Sequence, residues 1–429
     1  PSSPSKSVCP SGAASQRAVG ASSTPRDRSM SFSSRRRNYM LVSHRRDQLI
    51  EFVKALLKHS FVLDALAESA ENTWAHVEEL IEEHRRDAES SRLREAVPSV
   101  GSFFTALPLA RAWKRYDETY RISRRRFVSP SFNEIRGVFN VAQVLAFDEQ
   151  SLQFVTFDGD CTLYSDGKNF QDLELATMIK RLLRAGVRVA LVTAAGYGYD
   201  APRYEKRLAS LLQHLVDDDD DLAPRFYVVG GESNYLLQAR TVFDDDDDDA
   251  SSSSSRRRRR RVVLEPRAEA WSAVVQFDEA QVRTLLDVAE QSLRDTVADV
   301  KMDARVVRKP RAVGLIPQNA RRELLDEAVL RAQDALKNLR EPPYCAFNGG
   351  SDVWVDVGNK RVGVTGLQRL LDVQPANSLH VGDQFLNTGN DYAARAASCC
   401  LWITDPTETK AILSDVLDVL EHRNPRGLP

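Results

Sequence analysis

The sequence predicts an α/β protein: a parallel-sheet core, a cap inserted into that core, and a helical domain ahead of it. Three observations carry this. Leu152–Phe157, Leu173–Ala185 and Val187–Val192 read as strand, helix and strand, a βαβ unit that calls for a parallel pair. The next core strand, Ser378–Val381, comes only after a segment long enough to be a domain. It leads to a helix near Asp391–Ala397 and a last strand, Cys399–Ile403. Upstream, Leu49, Ile50, Phe52, Val53, Leu56 and Leu57 recur at helical spacing.

Taken in order, residues 1–46 form a basic tail, with eight arginines and one lysine against the single acid Asp27. Rich also in serine, it reads as a disordered tail, and its composition resembles an organelle-targeting segment. Residues 47–148 make the helical domain: amphipathic runs from Asp47 to Glu95, helix or loop from Leu107 to Arg126, and a helix over Asn133–Leu145. Residues 149–199 and 346–429 are assigned to the core and 200–345 to the cap. Within the cap, Asp244–Asp249, Ser251–Ser255 and Arg256–Arg261 follow one another, after a shorter acidic run, Asp217–Asp221. Opposite charges with no interleaved aromatic residue read as a solvated low-complexity insertion over 244–261.

The bulk composition, 42% hydrophobic and 28% charged, is that of a soluble globular protein. A net charge of −2 gives no global attraction to nucleic acid or to an anionic membrane. No apolar run approaches the ~18 residues of a membrane-spanning helix. The five cysteines, Cys9, Cys161, Cys345, Cys399 and Cys400, show no CxxC spacing, which suits reduced thiols in a cytoplasmic protein.

The chemistry concentrates where the predicted strands end. Phe154-Val-Thr-Phe-Asp158-Gly-Asp160-Cys-Thr-Leu-Tyr164 runs a buried strand into two aspartates on one tight loop. Open α/β sheets bind ligands at that edge. Two carboxylates so close repel unless a cation or a shared proton compensates. Phosphoryl transfer would use this pair well, Asp158 as nucleophile and Asp160 as general acid, then base. The second strand ends in Val192-Thr193-Ala-Ala-Gly196, offering a hydroxyl and amides. The third ends in Val381-Gly382-Asp383, with Asn387 and Asp391 as alternative companions of Asp383 at a metal. Hard oxygen donors favour Mg²⁺. Lys360 is the candidate phosphate cation.

This ordered set resembles the four motifs of the haloacid-dehalogenase (HAD) superfamily. The wording around them, Phe157-Asp-Gly-Asp160-Cys-Thr-Leu-Tyr164-Ser-Asp166, Asp352-Val-Trp354-Val-Asp356-Val-Gly-Asn-Lys360 and Gly382-Asp383-Gln-Phe385, is similar to the IMP-specific 5′-nucleotidases, as is Arg126-Phe-Val-Ser-Pro-Ser-Phe132. The resemblance implies a HAD-like Rossmannoid core with an inserted α+β cap. It implies Mg²⁺-dependent hydrolysis of inosine 5′-monophosphate (IMP) to inosine and phosphate, as in purine salvage. It further implies a homotetramer and an N-terminal region that senses ATP, for which Arg124–Arg126 is one candidate contact. Carried over by motif, Asp158, Asp160 and Asp383 would sit at the magnesium. Asp158, Asp160, Asp166, Thr193, Asp352 and Lys360 would contact the nucleotide, with Arg207 a further phosphate or base contact. Tyr164 and Trp354 are candidate stacking partners for a purine. The competing expectations are a sugar-phosphate phosphatase or phosphomutase on the same core and a non-catalytic nucleic-acid binder.

Overall fold

The computed structural model describes residues 47–62, 66–216, 220–244 and 259–423. The basic tail and most of the Asp/Ser/Arg tract lie outside the described residues.

The described residues open on five helices: α1 (Gln48–Val62), α2 (Leu66–Arg86), α3 (Arg92–Ala96), α4 (Leu109–Tyr120) and α5 (Phe132–Ala146). The start of α5 is written in its sequence. Ser131 accepts from the Glu134 amide while the Glu134 carboxylate accepts from the Ser131 amide, a reciprocal capping box. Trp74, Trp113 and Ile135 lie at the centre of the apolar cluster that binds these helices together.

Next come β1 (Phe154–Phe157), α6 (Leu173–Arg184), β2 (Arg188–Val192), α7 (Ala201–His214), β3 (Phe226–Gly230), β4 (Tyr235–Asp244), β5 (Arg259–Pro266) and the short α8 (Ala268–Ser272). The cap elements follow: α9 (Glu279–Asp299), β6 (Ala304–Lys309), β7 (Ala312–Pro317), α10 (Arg322–Leu336), β8 (Tyr344–Asn348) and β9 (Val353–Val357). The chain then returns through α11 (Lys360–Leu371), β10 (Ser378–Gly382), β11 (Cys399–Trp402) and α12 (Pro406–Arg423).

The main sheet has seven strands in the order β11-β10-β1-β2-β3-β4-β5. From β11 to β3 neighbours are parallel; β4 and β5 extend the sheet antiparallel. The parallel strands are covered on both faces, which explains their near-continuous apolar character. Phe154 and Phe157 are fully buried on opposite faces, each worth roughly 1.5–3 kcal/mol of apolar burial.

Four expectations change. Phe226–Gly230 is a core strand beside β2, so the core continues through residues assigned to the cap. The ends of the low-complexity tract are strand as well, because Asp244 pairs with Arg259 and Phe243 with Arg260 in a β4–β5 hairpin. Conversely Val353–Val357 belongs to the cap, in a separate sheet ordered β6-β7-β9-β8 and backed by α9 and α10. Hydrophobic alternation gives a strand's facing but not its partner, and the partner decides the domain. The helix expected near Asp391–Ala397 is a short 3-10 turn, Tyr392–Ala396. Among the described residues no helix is long and apolar enough to cross a membrane.

Candidate active site

Strand β1 delivers Asp158 to the C-terminal edge of the sheet, where its amide donates to Val381 O at 2.9 Å. Asp158 is 5% exposed. Gly159 turns the chain against Tyr164 and Thr193; a Cβ there would strike the Tyr164 hydroxyl. Cys161 takes a left-handed φ of 59° to complete the loop. Thr193, also buried, ends β2 with its Oγ1 accepting from the Ala195 amide at 3.1 Å.

Lys360 is the first residue of α11, capped by Asn359, and is fully buried. Its Nζ lies 2.6 Å from Asp158 Oδ1 and bonds also to Asp391 Oδ1. Asp391 accepts in addition from the Gln384 amide at 2.8 Å, and its Oδ1 is 2.9 Å from His380 Nε2. That contact makes Nε2 the protonated nitrogen, leaving Nδ1 to accept from the Thr156 hydroxyl at 2.8 Å. Gly382 is required here, since a Cβ would run into the Asp391 carboxylate. Asp383 Oδ1 is buried without a hydrogen-bond partner.

Carboxylate oxygens of Asp158, Asp383 and Asp391 lie within 4.8 Å of one another. Burial pushes the Asp158 carboxyl up to about 7, against the pull of Lys360 and with the added repulsion of Asp391. Burial and the charges of Asp158 and Asp391 push Asp383 well above the usual carboxylate range. Although burial opposes it, Lys360 with His380 holds Asp391 below that range. One ammonium therefore serves three carboxylates. The unpartnered Asp383 oxygen and the excess of hard anionic donors fit a divalent cation of the Mg²⁺ type.

Asp160 faces another way. Its Oδ1 accepts from the Gly167 amide at 2.8 Å and from Arg207 Nη2 at 2.5 Å. Arg207 comes from α7 of the core layer, lies 4.9 Å over the Tyr164 ring and donates to the Tyr197 hydroxyl at 3.1 Å.

The family model for IMP-specific 5′-nucleotidase matches residues 31–413. The chain belongs to the IMP-specific 5′-nucleotidase family. A family member from Yarrowia lipolytica, IMP-specific 5′-nucleotidase 1, is 38% identical over 90% of this chain and 97% of its own. The solved structure of an IMP-bound mutant of the Plasmodium falciparum IMP-nucleotidase is similar with a TM-score of 0.78 at 37% identity, covering 87% of this chain and 94% of that one. The ATP-bound form of the same nucleotidase gives a TM-score of 0.74 at 37% identity, covering 87% and 85%. As a member of this nucleotidase family, the protein is a phosphoric monoester hydrolase with the HAD-like α/β fold.

Within this IMP-specific 5′-nucleotidase framework, Asp158, Lys360 and Asp383 come together, with Thr193 beside the Asp158 loop. Asp391, not Asn387, completes the carboxylate cluster; Asn387 is exposed, its carbonyl held by Gln333. The Asp160 carboxylate stands outside that cluster, paired with Arg207. Asp166 is exposed on the following loop. Asp352 sits in the β8–β9 turn of the cap, where its carbonyl accepts from the Gly349 amide. That hairpin abuts the loop from Asp383 to Asp391, the candidate metal loop, through the Asn348 amide and Thr388 O. The stacking expectations do not hold. Tyr164 is buried beneath Arg207, while the Trp354 ring lies over Gly314 with Lys309 Nζ 3.8 Å from its centre. Arg125 of the expected ATP contact pairs with Glu134. Sequence reasoning missed His380 and Glu232. The first of these stands two positions before Gly382, on a strand read for its apolar residues alone.

Proposed function

We propose that this protein hydrolyses IMP to inosine and phosphate, with Asp158 as nucleophile. One observation carries the reading: the Asp158 carboxylate, buried at a parallel-sheet edge, is held by the ammonium of Lys360 beside Asp383 and Asp391. In the first step an Asp158 oxygen bonds to phosphorus as the P–O5′ bond breaks, and Asp160 protonates the departing O5′. In the second step Asp160 takes a proton from water, the water oxygen bonds to phosphorus, and the P–O bond to Asp158 breaks. Lys360 and the Thr193 hydroxyl steady the phosphoryl oxygens. Asp158 and Asp383, backed by Asp391, would hold Mg²⁺, which supplies charge neutralisation for the phosphate and for the crowded carboxylates. Arg207 keeps Asp160 turned toward the leaving group.

We read Asp166 and Asp352 as acceptors for the ribose hydroxyls, ATP as an activator and the assembly as a homotetramer. Relatives with IMP and with ATP bound support the two nucleotide assignments. The unpaired thiols of Cys161, Cys345, Cys399 and Cys400 suit a cytoplasmic setting. The deciding experiment is phosphate release from IMP, AMP, GMP and hexose phosphates, with and without Mg²⁺ and ATP. A preference for hexose phosphates, or turnover by Asp158→Asn, would overturn the reading.

A further inference from the structure

Strand β3 ends in Gly230-Gly231-Glu232-Ser233-Asn234, a turn that none of the roles above uses. Glu232 and Ser233 have φ of 48° and 82°, two successive left-handed residues that both carry side chains. Such backbone is sparsely populated and persists only where its surroundings hold it. Here they do. The Glu232 amide donates to Thr193 O at 3.2 Å and the Gly231 amide to Ala195 O at 3.1 Å, tying the turn to the end of β2. On its other side Ser233 Oγ donates to Asn359 O at 2.8 Å and Asn234 Nδ2 to Val357 O at 2.7 Å. These are the residues that lead from the cap into Lys360. Trp271 Nε1 closes the turn from below, 2.9 Å from Ser233 O.

The side chain of Glu232 is wholly buried. Its Oε1 accepts from Asn390 Nδ2 at 3.0 Å, and Asn390, itself 5% exposed, directly precedes Asp391 in the metal loop. Burial pushes the carboxyl up to about 7 although the Lys360 charge draws it down. A solvent-excluded acid on strained backbone is a poor choice for packing alone. Its one hydrogen-bonded partner points to its use. Glu232 is where three parts of the site meet: the Thr193 strand end, the lead-in to Lys360 and the loop bearing Asp383 and Asp391.

We propose that Glu232 is a positioning residue for the phosphoryl-transfer site, fixing the metal loop through Asn390 and the approach to Lys360 through its turn. The proposal rests on the reading of Asp158 as nucleophile. Its test is steady-state phosphate release from IMP by the full chain, with the folded fraction of each variant taken from circular dichroism at the assay temperature. Glu232→Met fills the same volume without an acceptor for Asn390. It is expected to lower kcat at least about tenfold while KM stays within about threefold, the mark of an interaction realised in the transition state. Glu232→Gln keeps an oxygen for Asn390 and is expected to recover kcat to within about threefold. Asn390→Ala should match Glu232→Met, and the double variant should be no worse than either. A folded Glu232→Met with kcat within about twofold of the parent overturns the proposal, as does a Glu232→Gln as impaired as Glu232→Met. Should Glu232→Met fail to fold, Asn390→Ala decides alone, by the same tenfold and twofold limits. Asp158→Asn separates the two readings: residual turnover there removes the nucleophile assignment, whereas its inactivity beside a fully active Glu232→Met removes only the role of Glu232.

Discussion

The ammonium of Lys360 lies 2.6 Å from Asp158 and bonds at the same time to Asp391, so the candidate nucleophile and a carboxylate of the metal loop share one cation. All three groups are buried, and each depends on the others for a tolerable charge state. Lys360→Met is therefore expected to do two separate harms. Metal-free stability in urea should fall by about 3–5 kcal/mol at pH 8, the cost of breaking a buried pair from one side. Phosphate release should drop by about a hundredfold or more, as when a donor to the developing charge is removed.

Asp158→Asn should leave a folded protein that releases no phosphate from IMP and binds Mg²⁺ less tightly. Circular dichroism, a phosphate assay and calorimetric titration with the metal would check the three parts. A folded variant with parental turnover would place the nucleophile elsewhere.

Arg207→Met should move the pH profile of kcat. Burial raises the Asp160 carboxyl and Arg207 opposes that rise. Without the arginine the carboxyl keeps its proton to higher pH, so the alkaline limb of the profile should shift upward. The rate at the optimum should fall by roughly tenfold as Asp160 loses its orientation. An unmoved limb would separate Asp160 from proton transfer.

Glu232 also makes a prediction about stability. Its carboxyl is raised from an ordinary 4.5 to about 7 in the fold. A raised folded value means stability that is fully present below the unfolded value and lost as pH climbs through the folded one. Metal-free protein should thus lose stability between about pH 4.5 and 7, by no more than about 3 kcal/mol from this group. Urea titrations of Glu232→Gln across that range should be correspondingly flatter.

How far these features could be read in advance differs by element. The βαβ unit and the motifs at its strand ends were legible because β1 and β2 are apolar runs that stop abruptly at Asp158 and Thr193. Phe226–Gly230 has the same apolar character. It lay hidden because an acidic run before it and Gly-Gly after it mark it off like a cap strand. Val353–Val357 lay inside the segment assigned to the core, since the partner that places it in the cap, β8, is chosen by cap packing. Asp391 was one of two candidates until folding put it beside Lys360 and left Asn387 exposed. Glu232 could not have been found, because Gly-Gly-Glu-Ser-Asn reads as an ordinary turn and nothing local reports burial.

One brace of the metal loop comes from far upstream. Trp402 Nε1 donates to Asp383 O at 3.0 Å, and the indole packs against Phe385 and Phe132. The Trp402 backbone is in turn gripped by α5: Asn140 accepts from its amide at 3.0 Å, and Asn140 and Arg136 donate to its carbonyl. The helical layer thus acts as a buttress on the catalytic floor. A compound wedged between Phe132 and Trp402 would disturb Asp383 without resembling a nucleotide, giving an inhibitor that rising substrate could not outcompete.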